Sequence, residues 1–203
     1  MPEASAAGYQ IAYRRAVARL AGLDLGQVAR RSGSLLEGRR LTLPFLGANV
    51  EVELPAGGDA LLRPAGLTLA EKILLLHYLV SEGARETRGE LVSFKKLPGA
   101  SFYEPTYRKR GPGRIARRFG RDPERFDRAC RSLGWSPEQL GDAAFAFQVF
   151  PRLRGVVVLH RGDEEFPPEA NLLFEDRIVN YLPLEDVAVL AGLIATRLDR
   201  AAG

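Results

Sequence analysis

Cysteine and long apolar runs are both scarce in this sequence. The single cysteine in 203 residues, Cys130, excludes an internal disulfide and any zinc or iron–sulfur site that needs several thiolates from this chain. The longest strongly apolar run, ILLLHYLV at residues 73–80, is far shorter than the roughly 20 residues that span a bilayer. The opening MPEASAAGYQ lacks the basic and then apolar pattern of a secretory signal. These absences predict a soluble protein in the reducing cytoplasm, with no membrane partner.

Motifs of known catalytic type are missing as well. The sequence has two histidines, no Gly-x-Ser-x-Gly nucleophile motif and no loop with the Gly-Lys-Ser/Thr ending of a phosphate-binding loop. The cofactor stays unknown, and the sequence leaves open whether the protein is an enzyme.

Composition and length are those of an ordinary globular domain. With 46% apolar and 27% charged residues, 203 residues are enough to bury a substantial core. We expect a single domain over residues 1–203, with a helical segment at 1–36 and an α+β core at 37–203.

The spacing of apolar residues predicts two hairpins and several helices. Apolar and polar residues alternate at 39–45 and 50–54, and a second pair of strands is predicted at 145–150 and 155–160. Thr68 and Glu71 form a capping box that opens a helix to about residue 82, and a further helix follows Pro183. Residues 55–64 are expected to be a loop, and residues 136–139 a second capping box with a helical turn. The sequence therefore predicts an α+β fold: one antiparallel sheet of four to five strands built from two hairpins, with helices mainly on one face.

Three successive carboxylates, Asp163, Glu164 and Glu165, follow the second hairpin. Carboxylates at a strand end are suited to Mg²⁺ or Mn²⁺. Because neighbouring strand residues point to opposite faces, Asp163 and Glu165 could converge, with His160 at the strand end as a third ligand or a base. A solvated turn in which Asp163 caps backbone amides explains the same residues. The sequence alone does not decide between the metal site and the capped turn.

Positive charge is concentrated in the middle of the chain. Residues 106–131 contain ten Arg or Lys against three acidic residues, whereas residues 132–203 contain six Arg against eleven acidic residues. The basic residues at 108–121, with Tyr103 and Tyr107 for stacking, could bind nucleic acid, but they also fit the solvent face of an amphipathic helix. The net charge of only +4 favours a small anionic ligand or an acidic protein partner over nucleic acid.

Several short motifs resemble a family of bacterial and archaeal proteins known as a domain of unknown function. The motifs are LPFLG at 43–47, SFKKLPG at 93–99 with Phe102, Gly141-Asp142, Pro151-Arg152, GDEEFP at 162–167, Leu173-Phe174 and Tyr181-Leu182-Pro183. GDEEFP is the most specific of them. Some members of this family look fused to a four-cysteine iron–sulfur segment similar to that of corrinoid proteins of one-carbon metabolism. The resemblance implies an accessory role near corrinoid chemistry, although this chain has one cysteine.

Together these features predict a ligand-binding or accessory domain with a pocket between the second hairpin and the segment 94–107. The predicted ligand-binding residues are Asp163, Glu165, Arg152, Phe94, Phe102 and Phe166. The carboxylates would bind a polar or cationic group, Arg152 an anionic group, and the phenylalanines would form apolar walls. The alternatives are a metal-dependent hydrolase or transferase that uses Asp163, Glu165 and His160, and a nucleic-acid-binding protein that uses residues 108–121.

Overall fold

The computed structural model describes residues 6–55, 59–83 and 89–203. The chain divides into two compact units. Unit 1 comprises Met1–Arg85, Phe150–Arg152 and Asn180–Leu182, and unit 2 comprises Glu86–Val149, Leu153–Val179 and Pro183–Gly203. The expected single domain, with a segment boundary at residue 36, stays a prediction, because compact units of one chain can still fold together.

Unit 1 combines three helices with a four-stranded antiparallel sheet. Its elements are α1 (Ala6–Ala21), α2 (Leu25–Ser32), β1 (Leu35–Glu37), β2 (Arg40–Phe45), β3 (Ala48–Glu53), β4 (Leu61–Arg63) and α3 (Leu69–Val80). The strands are ordered β1-β2-β3-β4. The capping box predicted for α3 is present, with the Thr68 hydroxyl accepting from the Glu71 amide and the Glu71 carboxylate accepting from the Thr68 amide.

The β2–β3 hairpin follows directly from the alternation of its sequence. Leu41, Leu43 and Phe45 of β2 are buried, while the residues between them lie on the other face. The turn between the strands places Leu46 and Gly47 at positive φ, 47° and 86°, the backbone of a two-residue hairpin turn. On the outer face, Arg40 and Arg63 each pair with Glu51 and Glu53 at N···O distances of 3.0–3.8 Å.

Unit 2 is built on a five-stranded sheet with helices before and after it. Its elements are β5 (Leu91–Ser93), 3₁₀ turns at Phe94–Lys96 and Ala100–Phe102, α4 (Glu104–Arg110), α5 (Pro112–Phe119), α6 (Pro123–Ser132), β6 (Ser136–Glu138), β7 (Ala143–Phe150), β8 (Leu153–His160), β9 (Glu169–Glu175), a 3₁₀ turn at Asp176–Asn180 and α7 (Leu184–Ala201). The strand order is β5-β9-β8-β7-β6.

The two faces of this sheet are packed differently. On one face Phe145 of β7 meets Phe126 of α6 edge to face at 5.8 Å, and Phe147 stacks on Trp135 at 4.5 Å. The opposite face carries a cluster of strand residues centred on Ala144 and Val156. Large aromatic side chains therefore lie on the face that packs against helix.

The α+β class with antiparallel sheets of four and five strands is confirmed, but the two hairpins lie in separate sheets rather than in one. The helical turn predicted at 136–139 is wrong. Residues Ser136–Glu138 form an edge strand paired with β7. Proline has no backbone N–H to donate, and an edge strand, which is unpaired on one side, accommodates Pro137. The expected loop at 55–64 contains β4, while residues 56–58 lie outside the described part of the chain. In the described ranges, no helix has the length and apolarity needed to cross a bilayer.

Candidate functional site

Unit 2 contains a cleft of about 500 Å³. Four stretches of chain line it, with residues from 93–95, 104–108, 112–117 and 167–172. They belong to the end of β5 and the 3₁₀ turn after it, to α4, to α5, and to Pro167-Pro168 with the first residues of β9. The site is thus assembled from elements distant in sequence.

A stacked and almost fully buried aromatic pair underlies the cleft. The rings of Phe94 and Tyr107 stack at 4.0 Å with 9° between their planes, and both residues are buried. The Tyr107 hydroxyl donates to the backbone oxygen of Leu172 at 2.9 Å. Burial, with the nearby Glu104 carboxylate, raises the pKa of the Tyr107 phenol, so it remains a neutral donor. This hydrogen bond ties α4 to β9 across the floor of the cleft.

The corner between α4 and α5 is possible only because of glycine. A Cβ at Gly111 would lie 2.7 Å from the Cβ of Ala191 on α7, and one at Gly113 would lie 2.9 Å from the Arg108 carbonyl oxygen. Both distances are shorter than real Cβ contacts, so neither position accepts a side chain without rearrangement. The tight corner places Arg108 at the end of α4 and Arg117 on α5 around the same cleft.

Pro168, which lines the cleft, packs tightly against two glycines. A Cβ at Gly120 would lie 2.1 Å from the Pro168 Cβ, and one at Gly162 would lie 2.6 Å from the Pro168 Cδ. Pro168 therefore fits between two positions where only glycine leaves room. This packing holds the segment that carries Glu169 and Asn171 against the end of α5.

Three basic side chains in the cleft have no ion-pair partner among the described residues. Lys95, Arg108 and Arg117 line it and are exposed. In ranges 6–55, 59–83 and 89–203, none of the three forms an ion pair or side-chain hydrogen bond. Glu104 and Glu169 line the same cleft. By contrast, Arg114 on α5 pairs with Asp199 at 2.6 Å and donates to Thr196 at 3.0 Å. The cleft lining thus includes three basic and two acidic residues.

The structure places the predicted acidic residues in an exposed turn outside the cleft lining. Asp163 Oδ1 accepts from the amides of Glu165, at 2.9 Å, and Phe166, at 2.7 Å. This is the amide-capping geometry that explained the run without a metal. Glu165 and His160 are also exposed. Among the described residues, no group of three or more His, Cys, Asp or Glu side chains is placed to hold a metal ion. Metal binding by Asp163, Glu165 and His160 stays a prediction without geometric support.

One of the three predicted phenylalanines lies in the cleft lining, and the other two lie outside it. Phe94 lines the cleft, whereas Phe102 and Phe166 are 62% and 66% exposed and are not part of its lining. Each of the two exposed rings lies within two residues of a lining residue, Glu104 or Pro167.

Arg152 belongs to unit 1. Its backbone amide donates to the Tyr78 hydroxyl at 3.2 Å, and its guanidinium donates to the Arg30 backbone oxygen at 3.2 Å. These two hydrogen bonds give Arg152 a structural role in unit 1. Its binding of an anionic group stays a prediction.

Sequence reasoning missed Lys95, Glu104 and Glu169 as site residues. Lys95 lies inside the SFKKLPG motif, and Glu104 lies four residues before Arg108. Nothing in the sequence near Glu169 indicates that it faces the same space, because that proximity arises from the position of β9 in the sheet.

Comparison with known proteins identifies a family for this chain but no individual relative. No curated protein and no solved structure matches it. A family model described as a domain of unknown function, DUF3786, matches residues 24–197, which include β5 to β9 and every segment that lines the cleft. The chain therefore belongs to the DUF3786 family of domains of unknown function.

Proposed function

We propose that unit 2 binds a small anionic molecule that also has an apolar part. One observation carries this proposal: Lys95, Arg108 and Arg117, without ion-pair partners in the described ranges, line a cleft whose accessible lining also includes Pro167 and Pro168. The ligand's acidic group would meet the cations, and its apolar part would lie against Pro167 and Pro168, because Phe94 and Tyr107 are only 1% and 3% exposed.

The size and chemistry of the cleft suit such a ligand. Its volume of about 500 Å³ falls within the roughly 300–1,000 Å³ of typical small-molecule sites. Arginine recognises carboxylate and phosphate through paired N–H donors, so Arg108 and Arg117 are suitable anion ligands. Unpaired cations near one another repel, and an anion between them removes that repulsion.

A small ligand fits these charges better than a nucleic-acid chain. Glu104 and Glu169 also line the cleft, and their carboxylates would repel a uniformly charged phosphate backbone. Two other members of the basic segment are engaged within the protein: Arg114 pairs with Asp199, and Arg118 donates to the backbone oxygen of Gly203. Fewer arginines of residues 108–121 are therefore available to phosphates than the sequence suggests.

The other sequence-based hypotheses gain less support. A metal-dependent hydrolase or transferase would need Asp163 and Glu165 to converge in a cleft, and both are exposed in a capped turn. The accessory role in corrinoid chemistry, implied by resemblance alone, stays a prediction. A cytoplasmic location belongs to the same proposal and is supported by Cys130, which is buried and free.

Calorimetric titration with 3-phenylpropionate, glutarate and ethyl phosphate tests the proposal. We expect at least one of these anions to bind, and the same ligand at 100 times its Kd to stabilise the fold by about 2.7 kcal/mol. The double variant Arg108→Ala with Arg117→Ala should bind it at least about tenfold more weakly, because charge-assisted hydrogen bonds are lost.

A second double variant, Arg121→Ala with Arg128→Ala, is the matched control. It removes the same charge from exposed arginines that do not line the cleft. Its Kd should equal that of the unmodified protein. Absence of binding by every anion, or an equal loss in both double variants, would contradict the proposal.

A further inference from the structure

We infer that the ligand of the cleft is amphoteric: it carries a protonated amine for Glu104 in addition to its acidic group, as an amino acid or a phosphorylated amine does. This inference rests on the proposed function and narrows the ligand class. The observations behind it concern the charges that the cleft leaves unsatisfied.

Glu104 and Arg108 should pair with each other, but they do not. They are four residues apart on α4, with the acidic residue first, which is the favourable order for an ion pair along a helix. Both line the cleft, yet no ion pair between them forms in the structure. Each charge is therefore available to a different partner in the same space.

The Glu104 carboxylate is also short of hydrogen bonds. Its Oε2 atom is enclosed by protein and has no hydrogen-bond partner among the described residues. A carboxylate held in this way is costly, because the water that would solvate it is partly excluded. Glu104 is half-buried and lines the cleft, so a cationic group on a ligand in the cleft lies beside this side chain and supplies the opposite charge. That charge offsets the cost of enclosing the Oε2 atom.

A purely anionic ligand would leave Glu104 and Glu169 without a partner of opposite charge. Glu104 and Glu169 would repel a second acidic group, whereas Lys95, Arg108 and Arg117 attract the first. Charges of both signs on one ligand match both sets of residues. The amine therefore contributes to selectivity as well as to affinity, because a molecule without it leaves the carboxylate unpaired.

Matched pairs of probes that differ only in the amine test this inference by calorimetry. The pairs are L-phenylalanine with 3-phenylpropionate, L-glutamate with glutarate, and phosphoethanolamine with ethyl phosphate. For at least one pair, the amine-bearing member should bind about tenfold or more tightly, which corresponds to about 1.4 kcal/mol. Glu104→Gln should reduce that preference to less than about threefold by weakening the binding of the amine-bearing member.

The outcomes separate this inference from the proposed function. If both members bind equally in every pair that binds, or if Glu104→Gln keeps the preference, the amphoteric ligand is wrong and the anion site stands. If no member of any pair binds, both fall. Far-ultraviolet circular dichroism shows whether Glu104→Gln is folded. Should that variant fail to fold, the preference in the unmodified protein still decides the question, and Glu169→Gln provides a second variant from the same cleft.

Discussion

At the scale of single residues, Cys130 shows how burial controls chemistry. It lies on α6, is fully buried and forms no disulfide. Burial, and to a smaller extent the Asp127 carboxylate, raise the pKa of its thiol above the ordinary value of 9.0. The folded protein thus keeps this group protonated and unreactive in conditions where a solvent-exposed thiol ionises.

This raised pKa predicts a loss of stability in alkaline solution. Above about pH 9 the unfolded chain releases the thiol proton while the folded chain retains it, so the free energy of unfolding falls as the pH rises. Below that pH the contribution is fully present. Urea unfolding at about pH 8 and about pH 10 should show this decline.

The variant Cys130→Ala isolates the contribution of the thiol. It removes the titrating group, so its stability should decline less between the two pH values than that of the unmodified protein. Tyr107, whose pKa is also raised by burial, remains in both proteins and cancels in the comparison. Identical declines in the two proteins would mean that Cys130 does not contribute.

At the scale of elements, the turn after β8 depends on a single carboxylate. Asp163 accepts two backbone amides, so Asp163→Ala should lower the free energy of unfolding by about 1 kcal/mol, as other lost caps do. Asp163→Asn keeps the Oδ1 acceptor and removes the charge, and it should be close to the unmodified protein.

The same two variants distinguish a cap from a metal ligand. Thermal unfolding with and without Mn²⁺ measures both effects. A metal ligand would be weakened by Asn as well as by Ala, whereas a cap tolerates Asn. Stabilisation by Mn²⁺ that disappears in Asp163→Asn would restore the metal hypothesis for Asp163, Glu165 and His160.

Elements with strong local signals were predictable from sequence. Alternation fixed β2 and β3, and the capping box fixed the start of α3, because these signals depend only on neighbouring residues. Residues 136–138 carry an equally good helical signal and still form β6, since pairing with β7 outweighs local preference. That pairing involves the position of another strand, which a local pattern does not contain.

The candidate site was predictable only in outline. The segment 94–107 was expected to line a pocket, and Phe94 does so. Charge clusters drew attention to Asp163 and Glu165, but local hydrogen bonding already accounts for Asp163. Glu104 and Glu169 are inconspicuous in sequence, and they meet only because the α4–α5 corner and β9 bring distant segments together.

At the scale of the whole molecule, unit 1 is completed by residues far along the chain. The ring of Phe150 stacks on Phe45 at 4.9 Å and on Tyr78 at 4.1 Å, and Tyr181 stacks on Tyr78 at 5.2 Å. The Tyr78 hydroxyl also donates to the Ser32 backbone oxygen at 2.5 Å and accepts from the Arg152 amide. The core of unit 1 therefore includes short segments from the second half of the sequence.

Removal of the Phe150 ring should strongly destabilise the protein. Phe150→Ala deletes a fully buried side chain from the centre of three stacked rings, and such changes cost about 3–5 kcal/mol. Urea unfolding followed by circular dichroism measures the loss. Phe166→Ala, at a ring that is 66% exposed, is the matched control and should cost less than about 0.5 kcal/mol. Equal small losses would show that Phe150 does not hold unit 1 together.

The composition of unit 1 has a consequence for how the protein is made on the ribosome. The segments that complete unit 1 emerge late, and Tyr181 follows Arg85 by roughly 95 residues. At about 5–20 residues per second, the first half of the chain waits about 5–20 s for its last ring partner. Phe150 emerges about 65 residues after Arg85, and for those first about 3–13 s Phe45 and Tyr78 have no Phe150 to cover them, so the nascent chain presents an apolar surface to chaperones.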